Sequence, residues 1–295
     1  MKSLIPLAST GAILEAAGTI LEKNILKNKK INFKVYNTFG FLAIILILIP
    51  AILIADYFSG NLDSNILNIS NEAFQPSNIL LMAFIILVSL FANFFTFYAM
   101  KWEKITELEP IRLMQPLFAI ILALILYSSE RQTQTCILVA GFVASIALIF
   151  SHLKKHHLEF NKYSISAILG SLFFATELVL SKMILPFYSP LSFYLIRCLF
   201  IFIICYLIFK PKIRDMPKKI WIYTFIAATI WVAYRFLLYS SYIKDGIIFT
   251  TVLFITAPVF IYIFARIFLK EKLNWRNITA SIIIVACVAY ALFCA

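Results

Sequence analysis

Apolar runs of about 20 residues recur from one end of the 295-residue chain to the other, and each is long enough to cross the hydrocarbon core of a bilayer as a helix. Hydrophobic residues make up 62% of the chain and charged residues only 14%, so the runs leave no stretch for a soluble domain. The longest polar interval, residues 56–78, is too short to bury a core of its own. The chain is therefore predicted to be an integral membrane protein throughout.

Charges, prolines and polar clusters divide the chain into ten predicted spans. The spans must be helices, because a segment in lipid has to satisfy its own backbone hydrogen bonds and the runs lack the strict alternation of barrel strands. The first span carries Glu15 and Glu22 and has no small-residue cleavage pattern, so it is interpreted as a retained helix rather than a signal peptide. The predicted spans are residues 4–22, 36–56, 78–99, 109–128, 133–152, 163–185, 190–210, 219–241, 246–269 and 276–294.

Lys and Arg are unevenly distributed among the connections between spans. Nineteen of the 26 lie in the first, third, fifth, seventh and ninth connections, and only Lys2, Arg131, Lys182 and Lys244 lie on the opposite side. Because cytoplasmic connections carry the excess of basic residues, both termini are predicted to face outward. The net charge of +12 then meets anionic lipid headgroups, and no nucleic-acid partner is expected.

A stretch near the N-terminus, from Gly11 to Leu26, recurs in the second half of the chain. The stretch from Gly170 to Leu185 aligns with it at a constant offset of 159, with identities at six of 16 positions. Two more pairs of stretches align, beginning at Phe91 and Val232 and at Pro116 and Pro258. The first five spans and the last five are therefore predicted to be two copies of one unit.

A unit of five spans has an odd number of crossings, so its second copy enters the membrane from the opposite side. The predicted fold is an all-α polytopic membrane protein with ten transmembrane helices arranged as two inverted five-helix repeats. The predicted domains are a first repeat in residues 1–152, a basic linker in residues 153–162 and a second repeat in residues 163–295. Many secondary transporters use inverted repeats for alternating access, with the substrate held near the membrane midplane.

Three stretches carry a resemblance to a known family: PVFIYIFARIFLKEKLNW from Pro258, PLFAIILALILYSSE from Pro116, and FYLIRCLF around Arg197. With the two five-span halves, they resemble the EamA-type branch of the drug/metabolite transporter superfamily. The resemblance implies alternating-access transport of a small metabolite, amino acid or drug-like solute, either coupled to an ion gradient or equilibrative. The chain departs from the family pattern in having Ser and Lys before Glu130 and Glu271, where members usually have Gly. The resemblance also implies cytoplasmic termini, in contrast to the charge count.

Glu15, Glu22, Gly11 and Gly18 share one face of the first predicted helix, since their spacings are four and three residues. The glycines allow a neighbouring helix to approach closely. An ionised carboxylate near the bilayer centre costs about 2.5–3.5 kcal/mol, so Glu15 is expected to face a cavity or a partner. It is either a proton or cation carrier or a structural hydrogen-bond acceptor, and multidrug-resistance relatives of the superfamily are similar in having a glutamate in their first helix.

The second repeat places its acid at Glu177, and Arg197 and Arg235 are candidate counter-charges. Arg235 is expected either to pair with Glu15 or Glu177 or to hold a substrate carboxylate with its planar guanidinium. Arg197, near the start of its helix, is expected either to take part in such a pair or to extend toward the membrane surface.

The remaining polar residues on the predicted spans are candidate binding residues or bridges between helices, and two prolines are candidate gating residues. The polar candidates are Asn93, Tyr98, Gln115, Tyr234, Tyr239 and Thr256. Pro116 and Pro258 would free backbone carbonyls and allow kinks.

No hydrolase, metalloenzyme or nucleotide-binding motif is found, so an enzyme, a cofactor and a metal site are not expected. A polytopic membrane enzyme and a channel remain as alternatives to a transporter. The expected partners are a small-molecule substrate, the lipid bilayer, and a proton or another ion if transport is coupled. The five cysteines, Cys136, Cys198, Cys205, Cys287 and Cys294, are interpreted as small buried apolar residues.

Overall fold

The computed structural model describes residues 4–59, 69–112, 114–132, 135–150, 161–271 and 275–294, and these residues are almost entirely helical. The helices are α1 (Leu4–Lys27), α2 (Phe33–Ser59), α3 (Pro76–Trp102), α4 (Ile105–Arg112), α5 (Met114–Leu126), α6 (Thr135–Phe150), α7 (Lys162–Ile184), α8 (Pro190–Phe209), α9 (Lys218–Asp245), α10 (Ile247–Phe254), α11 (Ala257–Phe264) and α12 (Trp275–Cys294). A π-helical turn, Ala265–Leu269, continues α11. The predicted all-α architecture is confirmed for the described residues, whereas most of the predicted linker lies outside them.

One of the predicted spans is an interrupted helix: the span 246–269 corresponds to α10 followed by α11. The predicted span 109–128 contains the end of α4 and all of α5, on either side of residue 113, which lies outside the described residues. Several uninterrupted helices run past their predicted ends; α1 continues to Lys27 and α9 to Asp245. A helix does not stop where the hydrocarbon core ends, because its polar residues can continue it into the headgroup region.

Six helical segments of the described chain are long and apolar enough to cross a membrane, and three shorter apolar helices accompany them. The long segments are Phe33–Ile54, Pro76–Trp102, Lys162–Phe187, Pro190–Phe209, Lys218–Asp245 and Ile247–Leu269. The shorter ones are Met114–Leu126, Thr135–Ala144 and Ser281–Phe293. Large apolar side chains such as Leu53 and Leu80 are exposed on the outside of the bundle, as expected for surfaces that contact lipid.

Local sequence signals fix several helix ends. Asn161 begins α7, and its side chain accepts hydrogen bonds from the backbone N–H groups of Tyr163 and Ser164. Proline stands at the start of α3 and α8, where the missing N–H would have no helical partner. Gly246 separates α9 from α10 at φ 85°, a conformation that side-chain-bearing residues rarely adopt.

The most extensive helix contacts join elements that are distant in sequence. α3 packs on α7, α1 on α9, α2 on α8 and α6 on α12, and smaller interfaces join α5 to α7 and α1 to α11. Every one of these pairs contains one helix from residues 1–150 and one from residues 162–294. The two halves of the chain are therefore intertwined rather than side by side.

Cysteine usage differs from the prediction at one position. Cys198, Cys205 and Cys287 are free, and the first two are buried as expected. Cys136, in the first turn of α6, is disulfide-bonded, so its interpretation as a small apolar residue was wrong. The bond was not predictable from the positions of the cysteines, because these do not show which of them lie close together in the fold.

Candidate functional site

A cavity opens among α1, α2, α3, α7, α8, α9 and the end of α4. We call it the central cavity; its walls include Glu22, Tyr36, Asn37, Asn93, Thr96, Arg112, Phe174, Tyr194, Arg197, Trp231 and Arg235. The walls combine aromatic rings with a few charged and amide groups, which is the usual composition of a site for a small organic molecule.

A second cavity lies where α11 begins after the break that follows α10. We call it the half-helix cavity; its walls include Glu15, Arg112, Gln115, Pro116, Tyr234, Thr251, Phe254, Ala257 and Pro258. The first turn of α11 borders it, so backbone N–H groups of a helix N-terminus lie beside this space. Helix N-termini carry partial positive charge and favour anionic groups.

Arg112 belongs to both cavities and was missed by the sequence analysis. It was counted among the basic residues of the third connection, although it lies inside the predicted span 109–128. It is the last residue of α4, and its guanidinium contacts the hydroxyl of Thr19 at 3.5 Å. Its position within an apolar span, three residues before Gln115, was the available signal.

A cluster of charged groups lies beside the central cavity, with Glu177 at its centre. Glu177 is fully buried and pairs with both Arg197 and Arg235; its Oε2 lies 3.3 Å from Arg235 Nη1. Tyr239 donates its hydroxyl to Glu177 Oε1 at 3.0 Å, and Ser181 also contacts this carboxylate. The prediction that Arg235 pairs with an acid is confirmed, and the partner is Glu177.

Arg197 is also held inside the protein rather than at a membrane surface. Only 2% of its surface is exposed, and its guanidinium lies 5.0 Å from the ring of Tyr194. The alternative that it extends toward the surface is therefore wrong. The Glu177 carboxylate holds it inside, because an ionised guanidinium in a protein interior requires an anionic partner.

The two acids of α1 face different cavities. Tyr234 donates a hydrogen bond to Glu15 Oε2 at 3.1 Å at the half-helix cavity, and Tyr36 donates one to Glu22 Oε1 at 3.2 Å at the central cavity. Glu15 is thus both a hydrogen-bond acceptor and part of a cavity wall, which leaves both predicted roles open.

The glycines on the same face of α1 serve close packing. A Cβ atom on Gly11 would lie 2.3 Å from the ring of Phe254, and one on Gly18 would lie 3.0 Å from the ring of Trp231. These contacts bring α1 against α10 and α9 and hold Glu15 and Glu22 at the cavities.

Four other predicted site residues do not line either cavity. Tyr239 and Glu177 lie behind the wall in the charge cluster, and the Thr256 hydroxyl donates to the Leu253 carbonyl at the break between α10 and α11. Tyr98 lies on the lipid-facing side of α3, where its ring contacts Phe33 and Tyr163. The sequence placed Tyr98 on a span but did not show which side of that span faces the interior. Asn93, by contrast, lines the central cavity and donates to the Ser89 carbonyl at 2.7 Å.

Pro258 lies in the first turn of α11, directly after the break that follows α10. A proline there disturbs no helical hydrogen bond, since the first N–H groups of a helix have no partner within it. The expectation of a kink was therefore incomplete for Pro258, because its span is broken and restarts at the proline. Pro116 lies in α5, and its predicted kink stays a prediction because residue 113 lies outside the described residues.

Arg197 Nε and Asn37 Oδ1 are among the buried polar atoms of the central cavity that lack a hydrogen-bond partner in the described part of the chain. Buried polar groups are nearly always satisfied in folded proteins, so such exceptions require an explanation. One is a donor and the other an acceptor, and both are therefore available to a polar solute.

Glu130 and Glu271 bind the starts of α10 and α4. Glu130 accepts hydrogen bonds from the N–H groups of Ile247 and Ile248 at 2.8 and 3.1 Å and pairs with Lys182. Glu271 accepts from the N–H groups of Ile105 and Thr106 at 3.3 and 3.0 Å. Glu130 from the first half of the chain therefore caps α10 of the second half, and Glu271 from the second half caps α4 of the first half.

Comparison with known proteins gives a family and a fold. Residues 161–293 match the EamA-like transporter family. A solved crystal structure that is 15% identical in sequence aligns over 100% of this chain and 98% of its own, with a TM-score of 0.72. No curated protein matches the chain in sequence. The family match supports a membrane transporter, and the structural likeness supports the overall fold.

Proposed function

The second half of the chain, residues 161–293, belongs to the EamA-like transporter family, and from this premise we propose that the protein moves a small organic solute by alternating access between two inverted five-span halves. The chain is an integral membrane transporter of the drug/metabolite kind. The proposal concerns its mechanism, its solute site and its coupling.

The pattern of helix contacts supports two equivalent halves. If α1, α2, α3, α4–α5 and α6 correspond to α7, α8, α9, α10–α11 and α12, exchanging the halves turns the α3–α7 interface into the α9–α1 interface. The same exchange turns α5–α7 into α11–α1 and leaves α2–α8 and α6–α12 unchanged. These pairs account for the most extensive interfaces, as expected for a two-fold repeat whose halves are residues 1–152 and 163–295.

The helix caps follow the same correspondence. Glu130 caps α10 and Glu271 caps α4, so each carboxylate caps a helix of the opposite half. Lys182 pairs with Glu130, and its repeat equivalent, Lys23, bonds to the Met100 carbonyl near the start of α4. We place these two capping sites at opposite ends of the molecule, where movement of one half against the other would break or form them in turn.

One observation carries the proposed solute site: α11 begins, after the break that follows α10, at a cavity that also contains Glu15 and Arg112. Interrupted helices form the substrate sites of many secondary transporters. Arg112 connects this space to the central cavity, so the solute would occupy the space around it. Arg235, Asn37 and Asn93 would then contact its polar groups.

Glu15 is the proposed coupling residue. Its carboxyl group lies at the half-helix cavity within reach of Tyr234, and it can bind a proton or a cationic group of the solute in one state and release it in the other. The carboxyl group of Glu22 lines the central cavity, as that of Glu15 lines the half-helix cavity. The direction of transport would then follow from the ion or solute gradient that is present.

The proposal can be tested with purified protein in proteoliposomes. An isotope-labelled mixture of amino acids, organic acids and other small metabolites is supplied outside, and the lumenal contents are identified by mass spectrometry. We expect saturable uptake of at least one metabolite, and uptake at least tenfold slower in Arg235→Ala, because the guanidinium that reaches the cavity is lost.

Two variants control this experiment. Glu72→Gln changes an exposed acid in a short 3₁₀ turn and should match the unchanged protein. Arg235→Lys keeps the charge but not the planar fork and should fall between Arg235→Ala and the unchanged protein. If no metabolite enters faster than in protein-free liposomes, the proposal is contradicted.

A further inference from the structure

A groove on the side of the molecule has no role in the proposed transport path. It lies between the first turn of α2, the last turns of α3 and the first turns of α7, and its volume is about 780 Å³. We call it the lateral groove; its walls are formed by Phe33, Lys34, Phe94, Phe95, Tyr98, Lys162, Ile165, Ser166 and Leu169. It shares no residue with the central cavity or the half-helix cavity.

One end of the lateral groove is positively charged. Lys34 and Lys162 are both exposed, and their ammonium groups lie 5.4 Å from the ring of Phe209 and 5.1 Å from the ring of Tyr163. Glu103, at the end of α3, accepts a hydrogen bond from Asn161 at 2.9 Å, so an acid is present beside Lys162. Among these described residues, two lysines stand against one acid, which leaves a net positive charge in this part of the groove.

Aromatic residues place this end at the level of lipid headgroups. Trp102 is 59% exposed and stacks on Tyr163, and Tyr163 contacts Tyr98. Trp and Tyr concentrate at the boundary between the hydrocarbon core and water, where an apolar ring and a polar tip are both accommodated. The neighbouring lysines therefore lie where the phosphates of the adjacent leaflet are.

The other end of the lateral groove is apolar and runs toward the membrane interior. Along α7, Lys162, Ile165, Ser166 and Leu169 follow one helical face over about 10 Å. The Ser166 hydroxyl donates to the Phe95 carbonyl at 2.8 Å, so this polar group is already satisfied inside the groove. Ile165 is 47% exposed, which shows that the groove is open on its lipid side.

We propose that the lateral groove binds one anionic phospholipid, with its phosphate between Lys34 and Lys162 and an acyl chain along Phe94, Phe95, Ile165 and Leu169. The charge of the groove end selects an anionic headgroup over a zwitterionic one. The apolar remainder requires a ligand with an attached hydrocarbon chain, which distinguishes a lipid from free phosphate. Basic pockets between transmembrane helices bind anionic headgroups in this way.

Native mass spectrometry of the full-length protein in detergent tests this site. Dioleoylphosphatidylglycerol and dioleoylphosphatidylcholine, which share their acyl chains, are titrated separately against the unchanged protein and against Lys34→Gln/Lys162→Gln. Since a lysine near a headgroup contributes about 1 kcal/mol, the double variant should bind phosphatidylglycerol about thirtyfold more weakly. The matched control is Lys218→Gln/Lys219→Gln, which removes two exposed lysines from the start of α9 and should bind normally.

Two further experiments distinguish a bound lipid from a bound free phosphate. Ile165→Trp should weaken phosphatidylglycerol binding by filling the groove, whereas Ile222→Trp, at a position that is 61% exposed on α9, should not. Millimolar glycerol phosphate should not compete. Equal binding of the two lipids, equal binding by the two double-lysine variants, or full competition by glycerol phosphate would each overturn the proposal.

Discussion

At the residue scale, the buried charges of this protein are arranged around a single carboxylate. Glu177 holds Arg197 and Arg235 on either side, with the Tyr239 hydroxyl as a further donor. Two guanidinium groups share one acid, so the cluster retains positive charge next to the central cavity. The arrangement couples helix packing to the electrostatics of the solute site, because the same arginines form both.

This arrangement predicts a large loss of stability in Glu177→Gln. The variant leaves two buried guanidinium groups without their anionic partner, and breaking a buried ion pair in this way costs about 3–5 kcal/mol. Thermal unfolding of the detergent-purified protein should therefore show a clearly lower midpoint than in Glu72→Gln, whose acid is exposed. Equal midpoints would show that Glu177 does not hold the cluster together.

Glu15 yields a second residue-scale prediction. Glu15→Gln keeps the shape of the side chain and its hydrogen bond to Tyr234 but cannot ionise, so the protein should fold normally. If Glu15 carries a proton or cation, accumulation of solute against its gradient in proteoliposomes with an imposed pH difference should be lost. Glu72→Gln provides the control.

If Glu15 has only a role in helix packing, the same variants should behave differently. Glu15→Gln should then transport normally, and enlarging Gly11 or Gly18 should be the harmful change because it separates α1 from α10 or α9. Continued accumulation by Glu15→Gln would therefore remove the coupling role and leave the structural one.

Site residues were predictable where charge alone identified them. Glu15, Glu177 and Arg235 stood out because an ionisable group inside an apolar span is costly in lipid. Tyr98 and Arg112 were misjudged because their roles depend on which side of a helix faces inward and on which cavities its end borders. These are properties of tertiary packing, and the residues themselves do not show them.

At the scale of elements, helix existence was predictable and helix interruption was not. The predicted spans 163–185 and 190–210 agree closely with α7 and α8, because Asn161 and Pro190 mark their starts. The break before α11 lies within continuous apolar sequence. A break inside a protein becomes stable only when other groups satisfy the freed backbone, and sequence does not reveal those partners.

Close helix contacts give an element-scale prediction that has a built-in control. A Cβ atom on Gly170 of α7 would lie 2.5 Å from the Thr96 hydroxyl and 3.2 Å from the Thr96 backbone nitrogen, whereas one on Gly40 of α2 would have nothing within 4 Å. Gly170→Ala should destabilise the protein by about 1–3 kcal/mol because the backbone of α3 cannot easily move aside. Gly40→Ala should be neutral or stabilising by about 0.5–1 kcal/mol, since alanine favours helix.

Thermal unfolding of both variants in the same detergent provides the comparison. If α3 and α7 are in close contact, the midpoint of thermal unfolding should be lower for Gly170→Ala than for Gly40→Ala. The reverse order would mean that α3 and α7 are not in close contact.

At the scale of the whole molecule, two observations bear on orientation. The basic residues predict that the first, third and fifth connections face the cytoplasm. Cys136 lies in the first turn of α6, on the opposite side of the membrane from those connections in that prediction, and it is disulfide-bonded. Disulfides persist on the oxidising side of a membrane, so the bond agrees with an outward position for this end of the molecule.

Cysteine labelling tests this orientation in intact cells. Ser64→Cys lies in the second connection, outside the described residues, and should react with a membrane-impermeant maleimide from outside. Asp215→Cys, in the exposed turn between α8 and α9, should react only after permeabilisation, and the unchanged protein sets the background. The reverse pattern would place both termini in the cytoplasm, as the family resemblance implies.

The central claim is that two halves alternate around one solute site, and an exchange measurement in proteoliposomes tests it most directly. Vesicles are loaded with an unlabelled metabolite that the protein takes up, and entry of the labelled form is compared with entry into unloaded vesicles. A carrier that exposes one site to each side in turn returns faster when it is occupied, so the account predicts faster labelled entry into loaded vesicles and saturation at high external concentration. Entry that is unaffected by loading and rises linearly with concentration would indicate a channel and contradict alternating access.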